Sequence, residues 1–131
     1  MSLRSGLISA FFCAASVALT GPVSAHHSTA MFEWGKEVSL SGTIKEYQWT
    51  QPHTFLWVVV EKGNGTTQEW GLEGMSPSWL GRRGWSRNSF KAGDKVSVVY
   101  YPLKDHRPGG FYVRVKASDG KLMEALPQRG G

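Results

Sequence analysis

The stretch Trp49-Thr50-Gln51-Pro52-His53-Thr54-Phe55-Leu56-Trp57-Val58-Val59-Val60-Glu61 decides the fold, because a turn signal runs straight into the most strand-like run of the chain. Proline has no N–H for a ladder and drives the residue before it towards extended or turn conformations. Thr50 to Pro52 are therefore expected to form a corner, with His53 as the first residue of a strand. Side chains alternate along a strand, which puts His53, Phe55, Trp57 and Val59 on one face and Thr54, Leu56, Val58 and Val60 on the other. Both faces are largely apolar. Such a strand suits a barrel interior on one side and a covering element on the other, with the imidazole held at the open rim.

Working outward, Val38, Leu40, Gly42 and Ile44 alternate with polar residues in a preceding strand, whose glycine predicts a bend or bulge. Lys62-Gly63-Asn64-Gly65 reads as a hairpin turn into a third strand, Thr67 to Glu73, with Trp70 and Leu72 inward. Ser76-Pro77 is an N-cap followed by proline at the first helical position, and Gly84 is the stop of a short helix that buries Trp79 and Leu80. Arg82, Arg83 and Arg87 stay solvated. Lys91 to Asp94 form a turn into a fourth strand carrying Val96, Val98 and Tyr100. A basic loop, Lys104 to Gly110, then leads to a fifth in which Phe111, Val113 and Val115 alternate with Tyr112, Arg114 and Lys116. Lys121 to Ala125 add a short edge strand.

Three strands, a helix and two strands is the chain order of a small OB-like barrel: an all-β fold of five strands with one short helix between strands 3 and 4. An SH3-like barrel would give similar periodicity. In an OB-like barrel the first and fourth interstrand loops, carrying Trp49 to Pro52 and Lys104 to Gly109, share one mouth, so His53 and His106 are expected to face the same region.

The barrel is preceded by a signal peptide. Arg4, the apolar run Leu7 to Leu19 and Gly21-Pro22-Val23-Ser24-Ala25 predict cleavage after Ala25 and a periplasmic or secreted product. The apolar run is short for a membrane anchor, so no stable membrane span is expected after processing. The organisation is then a signal peptide over 1–25, an amino-terminal arm over 26–36, the barrel over 37–126 and a flexible tail over 127–131. Cys13 leaves with the leader, so the mature chain has neither thiol nor disulfide. With Arg4 gone, fourteen basic residues face ten acidic ones, a formal charge of +4. That is mild for a nucleic-acid binder, and outside the cytoplasm the usual nucleic-acid partner is missing.

His26-His27-Ser28, Met31-Phe32, Trp49-Thr50-Gln51-Pro52-His53, Ser76-Pro77 with Arg83-Gly84-Trp85, Gly93-Asp94-Lys95-Val96 and Pro102-Leu103 occur in an order that resembles an exported bacterial family, the domain-of-unknown-function 6152 family. The resemblance covers nearly the whole mature chain and implies a small periplasmic β-barrel, without assigning it a chemistry. Gln51 stands where the pattern commonly reads asparagine and Ala92 where it commonly reads proline.

The residues with chemical potential are histidines. Cleavage after Ala25 makes His26 the first residue, whose α-amine and ring can chelate one metal ion. His53 would complete a three-nitrogen site that resembles the histidine brace of lytic polysaccharide monooxygenases and periplasmic copper carriers. Amine and imidazole donors put copper(II) first, with zinc and nickel behind. His27 is a further ligand or an orienting group, and His106 a weaker candidate. Cleavage near Ser28 and Ala30 would remove both terminal donors, and histidines with purely structural roles are the competing reading.

A second class of function is a metal-free ligand-binding or protein-interaction barrel, with a small ligand or an envelope protein as its partner. Its mouth would use Trp49, Trp57, Lys104, His106 and Arg107 to stack sugars or hold an anionic group. No carboxylate pair, Ser-His-Asp context or phosphate-binding loop is legible, so no catalytic residue is assigned and the chain is not read as an enzyme.

Overall fold

A computed structural model describes residues 29–127, so the expected signal peptide, His26 and His27 lie outside the described residues. The elements are a single 3-10 turn Thr29–Met31, β1 Val38–Gln48, β2 Phe55–Glu61, β3 Thr67–Glu73, α1 Pro77–Gly81, β4 Lys95–Pro102, β5 Gly109–Ala117 and β6 Leu122–Glu124. Antiparallel ladders join β3 to β2, β2 to β1, β1 to β4 and β4 to β5. A parallel pairing of β3 with β5 closes the five strands into an OB-like barrel, and β6 adds to the edge of β5.

Closure depends on β1, which serves β4 through Val38 to Thr43 and β2 through Thr43 to Gln48. A bulge between Ile44 and Glu46 bends it at the changeover. Gly42 makes the bend feasible: a Cβ there would lie 2.4 Å from the Val59 carbonyl oxygen. The β2–β3 hairpin closes with Lys62 N–H on the Thr66 carbonyl at 2.9 Å, and Gly63 and Gly65 take the positive φ values the turn needs. Ser76 caps α1 by accepting from Trp79 N–H at 3.2 Å, with Pro77 at the start of the helix.

Leu56, Val58, Leu72, Leu80, Val98 and Tyr112 form the centre of the barrel core, where each fully buried aliphatic side chain contributes roughly 1.5–3 kcal/mol. Thr54 is the polar residue of this interior. Its hydroxyl donates to the Met75 carbonyl and shares a hydrogen bond with the Tyr112 hydroxyl, so it is buried with partners. Burial is the main cause that pushes the Tyr112 phenol up to about 12, and it raises Tyr47 in the same direction.

Two details differ from the sequence expectation, and a third concerns a segment for which none was formed. β2 begins at Phe55, so His53 stands two residues before the strand, next to a cis Gln51–Pro52 bond. The alternation of β5 breaks at Val113, which has no partner between the pairs Tyr112↔Tyr100 and Arg114↔Val99. The extra residue places Tyr112 and Val115 in the barrel while Phe111 and Val113 face outward. Within the 26–36 arm, Phe32 is buried, bridges to Leu103 and joins Tyr101, Phe111 and Val113 in a second apolar cluster outside the barrel. Glu33 N–H on the Pro102 carbonyl and Lys104 N–H on the Met31 carbonyl hold this segment against the end of β4.

Candidate functional site

The register of the β2–β3 hairpin builds a cleft. Directly opposed residues of an antiparallel pair share a face, so Phe55 with Glu73, Trp57 with Gly71, and Val59 with Glu69 all lie on the outer side of the barrel. Gly71 is required here, because a Cβ would lie 2.7 Å from the six-membered ring of Trp57. With only hydrogen beneath it, that ring settles over the strand. Phe55 lies beside it with centroids 6.3 Å apart and planes within 18°, a stacked pair that gives the cleft an apolar aromatic lining. Arg107 and Pro108 from the β4–β5 loop and Met31 and Phe32 from the amino-terminal turn supply further walls of a cavity of about 400 Å³, within the size range of small-molecule sites.

Each charged group lining the cleft has its own counterpart. Glu69 pairs with Lys45 at 2.6 Å, and Arg107 Nε donates to Asp105 at 2.7 Å. The Arg107 hydrogen bond holds the Asp105 carboxyl below the usual carboxylate range. Glu73 is nearly buried, its side chain only 8% exposed, and its carboxylate engages His53 Nδ1, while the imidazole keeps 35% of its surface in solvent. A donor role for Nδ1 fixes the tautomer and leaves the Nε2 lone pair available. Trp57 Nε1 is buried without a hydrogen-bond partner, unusual for an indole, which ordinarily finds an acceptor when buried.

The residues expected at the site are not all brought together. Trp57 and Arg107 line the cleft, and His53 is tied to it through Glu73. Trp49 goes elsewhere: it packs on the barrel core with its ring edge-on to Tyr47 at 5.9 Å, while Gln51 reaches Ser78 on α1 at 3.3 Å. The β1–β2 loop thus leans towards the helix. Lys104 and His106 are exposed in the β4–β5 loop and lie in the electrostatic neighbourhood of Glu33 rather than among the cleft-lining residues. His26 and His27 precede the described residues, and Met31, five residues after His26, lines the cleft. Among the described residues no group of three or more His, Cys, Asp or Glu is arranged to hold a metal ion.

Glu73, Gly71 and Phe55 are the site residues the sequence reading did not assign. The signal for them was present in the hairpin. Once Glu61 is set opposite Thr67, counting six residues back along one strand and six forward along the other brings Phe55 opposite Glu73.

These features define an OB-like barrel with a ligand-sized cleft over the outer face of β2 and β3. The chain belongs to a family of unknown function (DUF6152), whose model matches residues 14–112 and so extends through the barrel as far as Tyr112 in β5. No curated protein matches it. Among the described residues no helix is long and apolar enough to cross a membrane.

Proposed function

We propose that the mature chain is an exported binding protein, periplasmic or secreted, that holds a divalent metal ion through His53 and the amino-terminal His26, with copper(II) ahead of zinc and nickel. The observation that carries this reading is the Glu73 carboxylate on His53 Nδ1. Metal-ligating imidazoles generally donate their second ring nitrogen to such a group, which sets the tautomer and raises the basicity of the ligating nitrogen. The position of the chain supports it as well. Met31 lines the same cleft as Glu73, and the three residues from Thr29 back to His26 reach at most about 10 Å. An α-amine and an imidazole at His26, joined by His53 Nε2, give a nitrogen set that favours copper(II). Binding rather than catalysis is assigned because both cleft carboxylates are already engaged by basic side chains.

The test is an intact mass of the exported protein together with its copper spin-resonance spectrum. A chain starting at His26 with an axial, nitrogen-rich signal that changes in His53→Ala is the expected result. A later start, or the same spectrum in the variant, overturns the proposal.

A second reading, binding of a small ligand without a metal, is favoured by a different observation. The stacked Phe55–Trp57 pair over Gly71 is an apolar aromatic surface on the outside of a domain whose core is already complete inside the barrel. Ligand-induced changes in tryptophan fluorescence that persist in a chelator are expected on this reading, and their absence counts against it.

A further inference from the structure

We propose that the cleft over β2 and β3 binds an uncharged sugar ring. The inference rests on the metal-free reading above and names its ligand class. A pyranose has a flat apolar face of C–H groups and a rim of hydroxyls, and it needs an aromatic surface under the face and polar groups around the edge. Phe55 and Trp57 supply the surface: their planes lie within 18° of each other, and Gly71 leaves room for the Trp57 ring against the strand. A floor placed in advance by two paired strands loses little freedom when a ligand lands on it.

The charge pattern selects among ligands with a flat face. Glu69 is matched by Lys45, Glu73 by His53 and Arg107 by Asp105. An anion would meet an Arg107 whose charge Asp105 already offsets, and a cation would meet carboxylates already engaged by Lys45 and His53. Hydroxyl groups bring no net charge that needs an unmatched partner. A carboxylate offers about four lone-pair sites and a guanidinium five N–H donors, so both can bond a hydroxyl without giving up their partners.

Trp57 Nε1 is shielded from solvent and without an acceptor. A ligand seated on the exposed part of the ring would therefore change the surroundings of this N–H, and its signal, without bonding to it directly. The cavity of about 400 Å³ lies towards the small end of ligand sites, which suits one or two sugar rings rather than a long chain.

The experiment is a titration of the mature protein with neutral trisaccharides (maltotriose, cellotriose and chitotriose) and with trigalacturonate, in the presence of a chelator. The indole N–H signals are followed by proton–nitrogen NMR. A saturable shift of the Trp57 signal with at least one neutral sugar is expected. Trp57→Ala should weaken binding about tenfold or more, the scale of one lost stacked ring. Arg107→Ala removes a side chain 67% exposed to solvent, so it should weaken binding without disturbing the fold. Leu122→Ala, at an exposed β6 residue that is not among the cleft-lining residues, should leave binding unchanged. No shift with any neutral sugar, or binding indifferent to both Trp57→Ala and Arg107→Ala, overturns the proposal. Preferential binding of trigalacturonate, lost in Arg107→Ala, overturns the uncharged class while leaving the cleft as a ligand site.

Discussion

The two faces of β2 divide the work of the molecule. On the inner side Thr54, Leu56 and Val58 are wholly buried, and even the threonine hydroxyl has two hydrogen-bond partners. On the outer side, His53, Phe55 and Trp57 keep part of their surface, and the indole of Trp57 has a donor without a partner. Inward residues are used up by folding. Outward ones present aromatic planes, an oriented imidazole and paired charges that the barrel does not need in order to close. The contrast locates function on the side where bonding capacity is left over.

The largest expected effect on stability is on the inner face. Leu56→Ala should cost about 2–5 kcal/mol, since the barrel strands cannot collapse fully around the cavity it leaves. Denaturant unfolding reads this directly, and a loss below about 1 kcal/mol would blur the division between the faces.

Next comes the buried phenol. Burial pushes Tyr112 up to about 12, above the ordinary value near 10, so folding favours its neutral form. That contribution is complete below pH about 10 and is lost as the pH rises through about 12, with a slope of at most about 1.4 kcal/mol per unit. Tyr112→Phe should remove this part of the alkaline unfolding while costing about 1–3 kcal/mol at neutral pH through the Thr54 hydroxyl it abandons. An unchanged alkaline profile in the variant would contradict the buried placement.

Gly71→Ala tests the outer floor. Its Cβ would enter the Trp57 ring, so the ring must tilt at a cost of about 1–3 kcal/mol, and Trp57 fluorescence should shift with it. The smallest effect on stability belongs to Glu73→Gln, expected to cost about 1 kcal/mol, because the amide oxygen still accepts from the imidazole. The same change should weaken copper binding about 10- to 100-fold if Glu73 sets the imidazole for the metal.

The inner half of this contrast was legible in the alternation of residues 53–60, whereas the outer face, expected to be covered, leaves Phe55 and Trp57 half-buried beside the cleft. The hairpin glycines, the Ser76-Pro77 cap and the curling at Gly42 were legible for the same reason: each is a local conformational requirement written in one or two residue types. What escaped depends on partners. The unpaired Val113 in β5 exists only relative to β4, so Tyr112 could not be placed inside from alternation alone. The direction of the β1–β2 loop, which takes Trp49 towards the helix, is set by packing against Tyr47 and α1. The packing of Phe32 over Tyr101 and Phe111 answers to an outer apolar surface on β4 and β5 that appears only after the bulge has turned those side chains outward.

Calorimetric titration of copper(II) into the mature protein and into His53→Ala, each first shown by thermal melting to be folded, tests the central claim most directly. Tight one-to-one binding to the wild type is expected, with affinity lower by about tenfold or more in the variant. Equal affinity in the two proteins, or no binding to either, would contradict it.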